Sequence, residues 1–144
     1  MLALLFEPVR HVTLLGLGGG SLAQCLWTRL GIPKVQVVEL RRRVVKVARK
    51  YFAFPGEQNI PVTIADAQEY VLNAIPQTTD LILCDVFSSD GFDMSLLNTS
   101  FFADCHRHLS FRGWFVINAW LQPSQLRDVA ELLYQYFQDV RLDI

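Results

Sequence analysis

The sequence predicts an α/β fold with a doubly wound, mainly parallel sheet, and three observations predict it. Short apolar runs of strand length alternate with longer stretches of helical periodicity along almost the whole chain. The first apolar run, Val12 to Leu15, enters a glycine-rich turn, Gly16-Leu17-Gly18-Gly19-Gly20-Ser21, which leads into a helical pattern of Leu22, Leu26 and Leu30. Three later strand segments end on carboxylates, Glu39, Asp66 (after Ala65) and Asp85. In sheets of this kind ligands sit beyond the carboxyl ends of the strands, where the strand order reverses.

Each element has its own justification. His11 to Leu15 barely alternates, as a strand buried on both faces does. Gly20 to Leu30 is the first helix, ended by Gly31 and by Pro33 just beyond. Lys34 to Glu39 is the second strand. Arg41 to Tyr51 is the second helix, with Val44, Val45, Ala48 and Tyr51 on its apolar face, and 54–59 is a loop. Ile60 to Ile64 is a short third strand. Asp66 begins a helix with Ala67, Tyr70, Val71, Ala74 and Ile75 at helical spacing, stopped by Pro76. Asp80 to Asp85 is the fourth strand, and Val86 to Asp93 is a loop rich in Ser, Asp and Gly. Ser95 to Leu109 is largely helical, with Phe101, Phe102, Cys105 and Leu109 inward. Trp114 to Ala119 is the fifth strand. Pro123 suits the first position of a helix that buries Leu126, Val129, Ala130, Leu133, Tyr136 and Phe137. Val140 to Ile144 reads as the start of a sixth strand.

Bulk properties narrow the class. A chain of 144 residues is expected to be one domain, 1–144. With 51% hydrophobic and 19% charged residues it can bury a core and is not of disordered composition. The net charge of -1 gives no electrostatic case for nucleic acid or an anionic membrane, and the local exception is Arg41-Arg42-Arg43. Cys25, Cys84 and Cys105 sit in apolar segments without zinc or redox spacing, so three reduced thiols and a cytoplasmic protein are expected. Met1 to Phe6 is apolar but too short for a signal sequence or a membrane span. His11, His106 and His108 assemble with no Cys or acid at ligand spacing, so no metal is expected. No G-x-S-x-G element is present either.

Each candidate residue has a functional and a structural reading. Gly16, Gly18 and Gly20 free the backbone to turn and leave its N–H groups open to a ligand. The match to G-x-G-x-x-G is partial, because Ser21 stands at the third position. Glu39, 23 positions after Gly16, can accept both hydroxyls of a ribose, or can pair with Arg41 or Arg42. Asp66-Ala67-Gln68-Glu69 has the form of a capping box, which favours Asp66 as a helix cap. Its functional reading, a hydrogen bond from an adenine amino group, is compatible if different oxygens are used. Asp85 follows four apolar strand residues and needs a partner or a ligand. It is read as an amine binder or general base, or as a carboxylate capping nearby N–H groups. Ser88-Ser89-Asp90-Gly91 is a turn or a lid, Asn118 can face the pocket, and Trp120 is packing.

In order along the chain, these segments resemble the spermidine synthase (polyamine aminopropyltransferase) family, and more narrowly its bacterial spermidine-synthase-like branch. They are Val12 to Leu22, Val37-Val38-Glu39-Leu40 with Val44 to Phe52, Ala65-Asp66-Ala67, and Asp80 to Asp85. The resemblance covers about residues 9–120. It implies the class I S-adenosylmethionine-dependent methyltransferase fold, Rossmann-like, here shortened at both ends. It implies S-adenosylmethionine or its decarboxylated form as substrate, and a small-molecule amine as acceptor. Gly16, Gly18 and Gly20 would wrap the aminopropyl or methionine part, Glu39 would hold the ribose, and Asp66 with Ala67 would face the adenine. Asp85 matches the catalytic acid of an Asp-Ser-Ser-Asp-type loop, which binds the acceptor amine and helps deprotonate it. Asp90 corresponds to that loop's second acid, with its spacing shifted by Val86 and Phe87.

Departures from the family pattern are equally specific. Gly19 stands where the family usually has an Asp that holds the donor's amino group, and Arg41 stands where an acid often follows the ribose-binding Glu. The family's small N-terminal β-domain is expected to be absent, and the closing hairpin of the sheet is expected to be cut short. Aminopropyl transfer is therefore the leading expectation. Methyl transfer from ordinary S-adenosylmethionine is the alternative that Gly19 favours. A non-catalytic adenosyl-binding or interaction module is the third, with a homodimer over an exposed strand-six edge. A nicotinamide-dependent oxidoreductase ranks below these, because nothing downstream supplies a hydride-transfer partner.

Overall fold

The computed structural model describes residues 8–88, 91–119 and 121–141. Five strands form one sheet in the order β3-β2-β1-β4-β7, with every neighbouring pair parallel. They are β1 (His11–Leu15), β2 (Lys34–Glu39), β3 (Val62–Ile64), β4 (Thr79–Cys84) and β7 (Leu109–Ile117). A two-strand antiparallel hairpin, β5 (Phe87–Ser88) and β6 (Gly91–Phe92), follows β4. The helices are α1 (Ser21–Gln24), α2 (Arg42–Tyr51), α3 (Ala67–Asn73), α4 (Thr99–His108) and α5 (Pro123–Leu133). The chain winds outward from β1 to β3, then crosses back to β4 and β7 on the other side of β1. The order therefore reverses between β1 and β4.

The near-continuous apolar strands have the burial expected of a sheet covered on both faces. Val12, Leu14, Val35, Val37, Leu81 and Leu83 point to one face, where they pack with Leu26, Val45 and Ala48. Leu15, Val38, Ile82 and Cys84 point to the other, against Val71, Phe101, Phe102, Cys105 and Val129.

Several elements differ from the sequence expectation, each for a local reason. The first helix changes pitch after Gln24 and continues as a π-helical turn, Cys25–Arg29, in which Leu30 N donates to Cys25 O (3.1 Å). Tyr51 is 67% exposed rather than inward, at the end of a helix whose buried side is Val45 and Ala48. The third strand is shorter than expected, and Ile60 is buried ahead of it. The helix after Asp66 stops at Asn73, so Ala74 is extended and Ile75 is 72% exposed. Ile75 precedes Pro76, and a residue before proline is driven out of the helical region. The carbonyls left open there are met by Arg107, whose guanidinium donates to Val71 O (3.0 Å), Leu72 O (2.8 Å) and Ala74 O (3.0 Å).

The segment expected to be a loop after Asp85 holds the β5–β6 hairpin, and residues 89 and 90 lie outside the described residues. A single 3-10 turn, Met94–Leu96, precedes α4, which is capped by Asn98 (Oδ1 from Phe101 N, 2.9 Å). The fifth main strand begins at Leu109, which is therefore strand rather than helix, and ends at Ile117. Its partner in β4 advances only from Thr79 to Leu81 while β7 advances from Leu109 to Trp114, so the intervening residues bulge and Phe111 is 95% exposed. Among the α5 positions Val129 is buried, while Leu126, Ala130 and Leu133 are half-buried, as are Tyr136 and Phe137 beyond the helix. Val140 and Arg141 are not in a strand. The rest of the expected sixth strand, and Trp120, lie outside the described residues. The outer strand on that side is β7.

The amino end of the sheet is closed by two histidines. His11 Nδ1 donates to Thr78 O, and its Nε2 is buried without a partner among the described residues. His108 Nδ1 donates to Ile75 O (2.9 Å), and its Nε2 lies 3.3 Å from Thr13 Oγ1. Burial pulls both imidazoles below their usual range. Lys34 adds to this at both, His108 at His11 and Arg107 at His108, while the carbonyl bonds and, at His11, Asp80 oppose it. The unfolded chain therefore binds protons more readily than the folded one. The stability this contributes is present above the unfolded histidine pKa, about 6.5, and is lost as pH falls through the lower folded values. Thermal melts between pH 8 and 5 are expected to show a falling midpoint below about pH 6.5, and His11→Asn with His108→Gln should flatten that decline. A midpoint unchanged over this range would contradict the assignment.

Candidate functional site

The site is built on the carboxyl edge of the sheet. The backbone turn after β1 is sharp, with Gly16 at φ +93° and Gly20 at +81°. Gly16 N donates to Val38 O (2.8 Å), which ties the turn to β2. A Cβ on Gly16 would lie 2.3 Å from the Asp85 carbonyl oxygen, so only glycine allows β1 and β4 to approach so closely here. Gly18, in the same turn, is exposed.

Glu39 is 5% exposed although charged. Its Oε2 accepts from Leu17 N in the glycine turn (3.1 Å) and its Oε1 from Arg41 N (2.8 Å). The Arg41 Nε is 3.8 Å from Oε1. The carboxylate is thus clamped between the turn and the start of α2, and each oxygen keeps a lone pair for a further donor. Both sequence readings of Glu39 are compatible with this arrangement: the Arg41 pairing is present, and acceptor capacity remains.

Asp66 is the N-cap of α3. Its Oδ1 accepts from both Gln68 N (2.8 Å) and Glu69 N (3.1 Å), so the two capping bonds fall on one oxygen. Ala67 behind it is buried. Asp85, half-buried, lies beyond β4, and its Oδ1 accepts from Asn118 Nδ2 (2.8 Å) beyond β7. Their main chains are fixed as well, by Asp85 N to Leu15 O (2.8 Å) and Asn118 N to Cys84 O (2.9 Å). Cys84, directly before Asp85, is 1% exposed, and burial pushes its thiol up to about 12.

The sheet order therefore sets Asp66, Glu39, the glycine turn, Asp85 and Asn118 in a row along one edge. With strands about 4.8 Å apart, the row is about 19 Å long. Asp90 lies outside the described residues. Sequence reasoning missed the span made by Arg41, whose Nη2 lies 3.4 Å from Phe87 O of the hairpin and so joins the β2 side of the row to the β4 side. The Arg41-Arg42-Arg43 run marked a charged spot but not its reach. A cavity of about 580 Å³ runs beside α3, from His11 and Lys34 at the amino ends of β1 and β2 to Ile64 and Ala65 at the end of β3. None of Gly16, Glu39, Asp66 and Asp85 lines that cavity. Among the described residues no three His, Cys, Asp or Glu gather as a metal set, and no helix is long and apolar enough to cross a membrane.

No family model matches the chain. A polyamine aminopropyltransferase of Neisseria meningitidis serogroup A is 32% identical over 136 residues, which is 94% of this chain and 51% of that protein. The chain thus spans about half the length of this relative. Among solved structures, a probable spermidine synthase from Corynebacterium glutamicum superimposes with a TM-score of 0.80 at 23% identity, over 89% of this chain and 47% of that one. Human methyltransferase-like protein 13, solved in complex with SAH, gives a TM-score of 0.79 at 26% identity, over 94% of this chain and 65% of that one.

Proposed function

The chain belongs to the spermidine synthase (polyamine aminopropyltransferase) family of the class I methyltransferase fold, and from that premise we propose that it binds an adenosyl sulfonium and transfers a carbon group from it to a small-molecule amine. The donor is decarboxylated S-adenosylmethionine or S-adenosylmethionine itself. The observation that carries the reading is the row of residues on one sheet edge, whose order matches the parts of such a ligand. The adenine lies by Asp66 and Ala67, the ribose on Glu39, the sulfonium arm over Gly16, Gly18 and Gly20, and the acceptor amine at Asp85.

In aminopropyl transfer the amine nitrogen forms a bond to the carbon next to sulfur. The carbon–sulfur bond breaks with its electron pair going to sulfur, and neutral 5'-methylthioadenosine leaves. Asp85 accepts the proton lost by the amine, and Asn118 fixes the orientation of that carboxylate. Alignment and deprotonation are the enzyme's contribution, since the sulfonium is already a reactive leaving group. We read residues 1–144 as one domain, place it in the cytoplasm, where free Cys25, Cys84 and Cys105 stay reduced, and allow a homodimer across the β7 edge.

Methyl transfer is the second reading. It is favoured by Gly19, which supplies no carboxylate for the donor's amino group, and by the likeness to a methyltransferase solved with SAH.

The test is calorimetric titration with 5'-methylthioadenosine and, separately, S-adenosylhomocysteine. Preference for the first supports aminopropyl transfer, and preference for the second supports methyl transfer. A folded sample that binds neither overturns both and leaves an interaction module. Asp85→Ala is expected to keep nucleoside affinity within threefold while lowering turnover by about 10²- to 10⁴-fold, the usual range for loss of a general base. A variant retaining full turnover would remove Asp85 from the chemistry.

A further inference from the structure

A charge total of -1 conceals a local excess, because the segment 41–51 carries six of the chain's 13 Lys and Arg residues and no acid. In α2, Val45 and Ala48 turn to the sheet. At 100° per residue, Arg42, Arg43, Lys46, Arg49 and Lys50 fall within about 120° of one another on the side turned away, and all five are exposed. They form a stripe about 12 Å long. Among the described residues only Arg49 in this stripe meets a carboxylate, Glu57 at 3.2 Å.

The stripe ends on two aromatic side chains, Tyr51 (67% exposed) and Phe52 (53% exposed). Lys50 Nζ already lies 5.0 Å from the centroid of the Tyr51 ring. Beside the stripe an apolar hollow of about 320 Å³ opens between Phe52, Val47, Arg43 and the Gly18–Gly19 turn.

We propose that this outer face of α2 docks a single-stranded polynucleotide, with phosphates along the cation stripe and an unpaired base stacked on Phe52 in the hollow. Successive turns of the helix present cations about 5–6 Å apart, near the separation of phosphates along an extended strand. Anionic lipid or an acidic protein would satisfy the cations as well. The exposed aromatics beside a flat apolar hollow are what select for bases, whose faces stack irrespective of sequence. The inference does not require the reading of the adenosyl site, although Gly18 borders both.

The test is fluorescence anisotropy of the full chain with a labelled single-stranded RNA of mixed sequence, titrated at several salt concentrations. Binding at low salt is expected, with log K falling against log salt at a slope of about -3, for four or five neutralised phosphates. Lys46→Glu with Lys50→Glu should weaken binding at least tenfold and flatten the slope, with the melting curve unchanged because both residues are exposed. Phe52→Ala should weaken binding about tenfold without changing the slope, since it removes stacking and no charge. No binding at low salt would overturn the proposal. So would equal affinity after the double charge reversal, or tighter binding of poly-glutamate, of anionic phosphatidylserine vesicles or of duplex RNA than of the single strand. An unchanged affinity for Phe52→Ala would overturn the stacking arm and reduce the face to a general polyanion surface.

Discussion

Gly16→Ala is expected to lower the thermal midpoint by roughly 6–15 °C, a shift that corresponds to about 2–5 kcal/mol in a domain of this size. The new Cβ would lie 2.3 Å from the Asp85 carbonyl oxygen and 2.9 Å from its carbon. Neither backbone is free to retreat. Asp85 N is bonded to Leu15 O, and Gly16 N to Val38 O, so the clash is held by three adjacent strands at once. The residue also sits at φ +93°, where an L side chain costs about 1–2 kcal/mol before any contact is counted. Overpacking typically adds about 1–3 kcal/mol. Gly18→Ala is the internal control, because nothing lies within 4 Å of its added Cβ. Only the conformational term remains there, so its midpoint should drop far less. Similar midpoints for the two variants, measured by circular dichroism, would show that the β1–β4 approach is looser than described.

Glu39→Ala is expected to weaken binding of an adenosyl ligand by about 10²- to 10⁴-fold. The carboxylate is oriented by Leu17 N and Arg41 N before any ligand arrives. Two adjacent hydroxyls of a ribose would then add charge-assisted hydrogen bonds, each worth about 1.5–3 kcal/mol, and each 1.4 kcal/mol is tenfold in affinity. Glu39→Gln would not restore the site, because one face of the amide would turn an N–H toward Leu17 N or Arg41 N. Calorimetry with 5'-methylthioadenosine or S-adenosylhomocysteine checks the loss, and a melting curve checks that the fold survives. Affinity within threefold of the unsubstituted chain would assign Glu39 a purely structural task, pinning the glycine turn to α2.

Most of this arrangement was legible in the sequence because strand and ligand edge leave local marks. The run His11–Leu15, the glycines after it, the acids that close the next segments and Asn118 after the fifth are each marked at a strand end without any knowledge of strand order. Asp66 carries the local signature of a helix cap, and its two capping bonds are present on one oxygen. What could not be read were contacts between residues distant in the chain. The Asp85–Asn118 pair joins positions 33 apart, and the reach of Arg41 to Phe87 spans 46. The end of α3 is hidden because the apolar periodicity carries on through Ala74 and Ile75, while the conformational effect of Pro76 begins one residue before the proline itself. The early start of β7 was hidden because its bulged stretch, around Phe111, breaks the alternation that marks a strand.

Cys84 has a bearing on durability. The sulfonium donor proposed above is an alkylating agent, and a thiolate one residue from Asp85 would be open to it. With its thiol pushed up to about 12 by burial, Cys84 stays protonated at neutral pH. The side chain also faces the packed interior with Leu15 and Ile82 rather than the ligand edge. If the proposed donor binds at this edge, self-alkylation would be opposed twice, by protonation and by access.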